Sequence, residues 1–315
     1  MSGLRILSAG LRSTLQDLGR SGSQHLGLAP GGAADLHAFR WANKLLENEP
    51  NDACIETLMG QFQAEARSAM TLAVTGADTE LTINGRRAGP WRTHNLKPGD
   101  RLALGATRSG LLNYIAVKAG WQGERFCNSR SMTPREQLPG FTQLESDQEI
   151  PCADGATAAA HQTPAGFIPD YAEPLTLQVI PGYQYARFSL SARHTLATRA
   201  YDITQQIDRM GYRLAGPALE VPDIKLLSEG IALGAIQVPA DGQPIVLLND
   251  RQTMGGYPKI GTVAALDCSR LCQQSPGAAV RFQFAELANV QCDRALFEAF
   301  FERTEWVGVD RLRWP

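Results

Sequence analysis

The chain has 315 residues, 43% apolar and 20% charged, which is ordinary for a globular protein and enough for two hydrophobic cores rather than one. Thirty basic and 32 acidic side chains leave a formal net charge of -2, so no overall field draws nucleic acid or an anionic membrane, and the expected partner is a small molecule or a protein. The opening MSGLRILSAG lacks a long apolar stretch after a basic start, and no later apolar run approaches the roughly 20 residues of a membrane span, so the expected location is the cytoplasm.

From the N-terminus, a polar island, STLQDLGRSGSQHLGLAPGGAAD, leads into the first clear helix. Asp35 can cap LHAFRWANKLLEN, in which Leu36, Phe39, Ala42 or Asn43, and Leu46 repeat at helical spacing, so a helix is predicted near 35–47. Most later apolar runs are short: TLAVTG, RLALG, YIAVKAG, LTLQVIPG, PIVLL and VRFQF. With turn signals between them, they predict an all-β architecture of barrels or sandwiches with few helices. The stretch 146–174, rich in Ala, Pro and Gly and without periodicity, reads as a connection between two domains, 1–165 and 166–290. A last helix, expected to serve packing, covers FAELANVQCDRALFEAFFER, with 291–315 forming a C-terminal helix and tail.

An internal repeat runs through the two halves. Arg20, Gly22 and Gly27 share the spacing R-x-G-x4-G with Arg209, Gly211 and Gly216. Gly76-Ala77 then precedes Asn84-Gly85 as Gly234-Ala235 precedes Asp241-Gly242, and each half closes on a Pro-Gly turn and an alternating strand, KPGDRLALG and SPGAAVRFQF. Their shared order argues for duplication, with the helix after Asp35 inserted in the first copy.

The six cysteines (Cys54, Cys127, Cys152, Cys268, Cys272, Cys292) form no CxxC pair and read as buried free thiols. No HxH, HExxH or acidic cluster has ligand spacing, so no metal site is expected on this chain; a Walker phosphate loop is also missing. His25 and His94 read as ordinary hydrogen-bonded histidines.

Chemistry concentrates in QIDRMGYRLAGP and GQPIVLLNDRQTMGGYPKIGTV. Arginine offers a planar fork for carboxylate or phosphate, aspartate can orient a nucleophile or accept a proton, and glycine lets backbone amides approach an anion. Gly255-Gly256 alone would read as a hairpin turn, and Asp208 with a neighbouring arginine as a surface ion pair of little worth. A turn, however, needs neither Asp250, Gln252 and Thr253 before it nor Tyr257 and Lys259 after it, and opposite charges on both faces of Asp208, Arg209 and Arg213 suit a site better than a half-buried strand.

The runs STLQDLGRSGSQHLG with GGAAD, E-x-P-N-D-A-C-I-E-T, VTGAD, DRMGYRLAGPAL and SEGIALGAIQVPADGQPIVLLNDRQTMGGYPKIGTV resemble the allophanate hydrolase subunit 2, or biotin-dependent carboxyltransferase-like, family, which includes the C-type subunits of 5-oxoprolinases and the antagonist of a sporulation-kinase inhibitor. The resemblance runs to about Phe284. It implies two cyclophilin-like β-barrel domains and a subunit 1/B-type partner protein, with a third subunit in the 5-oxoprolinases. The implied reaction is ATP-dependent opening of 5-oxoproline to glutamate, with ATP bound by the complex together with Mg. Two alternatives stand beside it: a carboxyltransferase component acting on urea or a related amide, with biotin on another chain, and a regulatory protein that binds a kinase inhibitor resembling subunit 1. No biotin is expected on this chain.

Within that family's chemistry, Arg209, Arg213 and Lys259 are expected to hold a phosphoryl group or substrate carboxylate, and the Gly255 and Gly256 amides to approach it. Asp208 or Asp250 would orient the attacking water, and Gln237, Gln243 and Tyr257 would read the amide, with Gln252 and Thr253 beside them. The chain departs from the family over 118–150, where YIAVKAGWQGERFCNSRSM and LPGFTQLESDQEI replace glycine-rich loops.

Overall fold

A computed structural model describes residues 2–224 and 226–314. The fold is mostly β, with four α-helices among the described residues, and the chain divides into two compact units, Met1–Ser21 with Gly31–Tyr171 and Ala299–Pro315, and Gly22–Pro30 with Ala172–Glu298.

In the first unit, long strands Met70–Ile83 and Arg101–Val117 pair antiparallel through most of their length. Around them the sheet runs in the order Arg12–Gln16, Cys54–Leu58, Arg101–Val117, Phe62–Ala66, Gly3–Ala9 and Glu149–Pro151. Alternate apolar side chains such as Leu4, Ile6, Phe62, Leu72, Leu102 and Ile115 meet in one core, as the period of two requires. Gly76, at φ 98°, crosses where a Cβ would stand 2.2 Å from the Leu112 carbonyl oxygen, a path closed to any other residue.

Helix α1 (Leu36–Leu45) forms where the spacing predicts it, with the Asp35 carboxylate accepting from the Ala38 N–H at 3.0 Å. The remaining helices are α2 (Leu190–Thr198), α3 (Ala265–Leu271) and α4 (Leu287–Arg303). The expectation for α4 needs correction. None of its residues is fully buried, because its apolar side chains are spread around the axis; near its end Phe300 and Phe301 lie against Trp41 with ring centroids 5.7 and 5.6 Å apart. Beyond it, Lys44 Nζ donates to the carbonyls of Phe301 (3.2 Å) and Thr304 (2.8 Å), and Trp306 Nε1 donates to the Lys44 carbonyl (3.0 Å). Burial, reinforced by Arg40, lowers the Lys44 pKa to about 8.

The 118–150 segment is tied down by polar contacts. Buried Asp17 accepts from Ser129 Oγ (2.6 Å), Ser131 Oγ (2.8 Å) and the Arg130 N–H (2.7 Å). Fully buried Arg20 donates to Glu136 (2.5 Å) and Thr133 Oγ1 (2.7 Å). Much of the first polar island is therefore consumed in holding the fold.

The second unit contains a closed barrel, in the order Leu175–Pro181, Lys259–Val263, Ala235–Gln237, Ile245–Leu247, Gly211–Ala215, Ala200–Ile207 and Ala279–Phe284, the last returning to the first in parallel. Closure leaves these strands no free edge. Apart from the barrel, Glu229–Gly230 pairs with Met254–Gly255 as a short two-stranded flap. A small apolar cluster of Ile231, Ala235, Leu247 and half-buried Ile245 joins the base of the flap to the barrel wall. As for the thiols, all six cysteines are free, but only Cys54, Cys152, Cys268 and Cys272 are buried; Cys127 is half-buried and Cys292, on α4, is exposed.

Candidate functional site

Short strands fix the positions of the polar residues in the second unit. Gln237 stands opposite Ile245 on one side and Lys259 on the other, and Ile245 in turn faces Arg213. An irregularity of register between Ile236 and Gln237 sets the Gln237–Lys259 pair. The opposite ends of these strands lead to Leu247, paired with Gly211, and from there to Arg209 and Asp250. The sequence candidates thus fall into three groups.

Arg209 and Asp250 form the first. Nε and Nη2 of Arg209 each donate to one carboxylate oxygen at 2.9 Å, with the residues 6% and 3% exposed, and the Asp250 N–H donates to the Arg209 carbonyl at 2.8 Å. The expected anion holder and water-orienting acid are engaged with each other, a fork-to-fork clamp between two loops. Next to them Arg251, part of the same polar island but not among the expected site residues, donates to the carbonyls of Ile231 (3.0 Å) and Leu248 (3.1 Å), fastening the flap to the barrel; burial lowers its pKa. Asp208 is exposed, and its Oδ1 accepts from the N–H groups of Met210 (2.7 Å) and Gly211 (3.2 Å), an Asx turn.

Arg213 and Gln243 make the second group, away from the clamp. Arg213 pairs with Asp241 at 3.2 Å in partial contact with solvent, and the Gln243 amide exchanges hydrogen bonds with the Gly216 backbone, accepting at 2.9 Å and donating at 3.1 Å. Their partners are local, and they brace a turn.

Lys259, Gln237 and Gly255 come together in the third. Lys259, 8% exposed, pairs through Nζ with Glu229 Oε1, and its backbone N–H donates to Gln184 Oε1 at 2.7 Å. Gln184 Nε2 donates to the same Glu229 oxygen at 2.8 Å and to the Tyr183 hydroxyl at 2.9 Å, while that hydroxyl donates to Glu229 Oε2. Gln237 is 2% exposed, and its Nε2 has no hydrogen-bond partner among the described residues. That amide lies under the flap: a Cβ on Gly255 would stand 2.9 Å from Gln237 Nε2 and 3.1 Å from Gln252 Nε2. Thr253 gives its carbonyl to the Ile231 N–H at 3.1 Å; Gly256 and Tyr257 are exposed just beyond. A buried ammonium, an unpaired amide N–H and a glycine that leaves room beside them can hold a small anion or a carbonyl oxygen.

Glu229, Tyr183 and Gln184 were not legible as site residues. Glu229 carried a faint signal, an acid between Ser and Gly at the head of an apolar run; Tyr183 and Gln184 carried only a Pro-Gly turn after a strand.

The barrel, flap and polar wall define a carboxyltransferase-type β domain: residues 26–284 match the family model for the carboxyltransferase domain, subdomain A and B, and the chain belongs to that family. Across 307 residues it is 31% identical to the C-type subunit of the 5-oxoprolinase of Escherichia coli (strain K12), covering 96% of this chain and 98% of the relative. It is 30% identical over 303 residues to the corresponding 5-oxoprolinase subunit of Haemophilus influenzae, covering 95% and 96% of the two chains. The fold is similar to that of the Kluyveromyces lactis urea amidolyase, with a TM-score of 0.87 at 20% identity, over 95% of this chain and 20% of that one.

Proposed function

We propose that the chain is the C-type subunit of an ATP-dependent 5-oxoprolinase, which opens the lactam of 5-oxoproline to glutamate together with a subunit 1/B-type partner and a third subunit. The observation that carries this reading is similarity at 31% and 30% identity across nearly the whole length of two proteins bearing that subunit name. The third polar group supports it, since 5-oxoproline presents both a carboxylate for Lys259 and a lactam oxygen for the free Gln237 amide.

A lactam carbonyl is a poor electrophile, and ATP, bound by the complex with Mg, supplies the phosphoryl group that makes its oxygen a leaving group. On this chain, Lys259 balances the negative charge, the Gln237 amide donates to the substrate oxygen, and the small Gly255 and Gly256 keep the approach open, donors fixed in advance of the charge they meet. Gln252 and Thr253 shape the flap. Arg209 and Asp250 hold its supporting loops. Among the described residues no group of three His, Cys, Asp or Glu is placed to hold a metal.

Partner binding is supported by the rim: Tyr183, Leu227, Met254 and Tyr257 are large apolar side chains left 50% or more exposed around the flap, Leu227 reaching 90%. The free thiols favour a reducing, cytoplasmic setting, and no helix among the described residues is long and apolar enough to cross a membrane. The carboxyltransferase family and the urea amidolyase fold support a second reading, transfer of carboxyl from biotin carried on another chain to an amide.

The test is ATP-dependent glutamate release from 5-oxoproline by the chain reconstituted with its neighbouring subunits, each omitted in turn. Release should vanish without this chain and with Lys259→Met. Undiminished release in its absence would sink the first reading; carboxybiotin-dependent carboxylation of urea would establish the second.

A further inference from the structure

The donors around Glu229 are arranged as a ligand site. We propose that Lys259, Gln184 and Tyr183 form a carboxylate-binding cradle which the chain fills with its own Glu229, and that a small carboxylate enters by displacing Glu229 and the flap that carries it.

Convergence is the first reason. Lys259 Nζ, Gln184 Nε2 and the Tyr183 hydroxyl all meet the one carboxylate. A surface ion pair rarely recruits three donors, here from two segments far apart in the chain. Lys259 and Gln184 are also rigid, at 8% and 4% exposure and joined by the Lys259 N–H to Gln184 Oε1 bond of 2.7 Å. Lys259 stands on a barrel strand and Gln184 is tied to it, whereas Glu229 belongs to the flap.

Glu229 belongs to a ladder of only two residue pairs, is followed by Gly230, faces Gly255, and keeps 30% of its side chain in water. A segment with so few pairings opens at low cost, and water can reach the carboxylate from outside. Under the flap waits the unpaired, buried Gln237 Nε2. A ligand with a carbonyl oxygen beside its carboxylate would satisfy that amide while replacing Glu229, so displacement exchanges one set of bonds for a fuller one. Free 5-oxoproline has both groups; its choice as natural occupant rests on the function proposed above, whereas the cradle does not.

Two carboxylates compete for one ammonium. Removing the internal charge with Glu229→Gln should therefore tighten binding of a simple carboxylate roughly tenfold, a factor equal to about 1.4 kcal/mol. Acetate is the probe, its dissociation constant read on the full chain by saturation-transfer NMR for wild type, Glu229→Gln, Glu229→Ala and Lys259→Met. The expected result is tighter acetate binding in both Glu229 variants and none attributable to the cradle in Lys259→Met. Acetate binding no tighter in either Glu229 variant, or retained in Lys259→Met, overturns the proposal. Competition separates the two ideas: if acetate binding tightens but 5-oxoproline fails to displace it, the cradle stands and the 5-oxoproline reading falls.

Discussion

Asp250 is where the geometry makes its sharpest demand. Both of its carboxylate oxygens accept from Arg209 at 2.9 Å, and the two residues are 3% and 6% exposed. In Asp250→Asn one oxygen remains, but the amide nitrogen turns a donor toward a donor and the buried guanidinium loses the carboxylate charge that faces it. Breaking a buried pair from one side costs about 3–5 kcal/mol. With a urea dependence of about 2 kcal/mol per molar, the unfolding midpoint should drop by about 2 M. Arg209→Met with Asp250→Leu, which removes both charges, should recover most of the loss. Equilibrium urea unfolding followed by circular dichroism measures both, and turnover of Asp250→Asn in the reconstituted complex should fall in step with the folded fraction. A midpoint within about 0.3 M of wild type together with abolished turnover would refute this reasoning and make Asp250 a group that acts on substrate.

Neighbouring glycines should behave differently: Gly255→Ala drives a methyl against Ile231 Cδ1 at 2.7 Å and Gln237 Nε2 at 2.9 Å, whereas a Cβ on Gly256 has Ser228 Oγ at 3.9 Å as its nearest contact. Steady-state kinetics should show at least a tenfold loss in kcat/KM for Gly255→Ala and nearly wild-type values for Gly256→Ala; equal effects would contradict the flap geometry. Lys44, with its pKa lowered from 10.5 to about 8 mainly by burial, is less protonated folded than unfolded, so its contribution to stability rises as pH increases from 8 to 10.5. Urea midpoints of wild type minus Lys44→Met should climb through that window, and a flat difference would contradict the burial argument. Thiol titration of the native chain with a disulfide reagent should label Cys292 fast and Cys127 more slowly. Cys54 and Cys268 should react only on unfolding, since burial raises both pKa values, the latter to about 12.

By itself the sequence determined the β class, because short apolar runs separated by turn residues can bury one face only as strands, and it determined helix α1, whose Asp35 cap and apolar spacing are local signals. It also marked the repeated R-x-G spacing, and Arg20 and Arg209 are both buried in carboxylate pairs, a match of environment that periodicity could only hint at. The Gln237–Gly255–Lys259 grouping was legible as a polar stretch. Its division was not: only the tertiary structure brings Arg209 and Asp250 within 2.9 Å of each other, apart from the Lys259 group. Tertiary structure alone decided that Glu229 and the Tyr183–Gln184 pair, far apart in the chain, meet at Lys259. The reason is physical: strand register, including the irregularity beside Gln237, sets which side chains face one another, and register depends on the closure of the whole barrel rather than on any window of sequence.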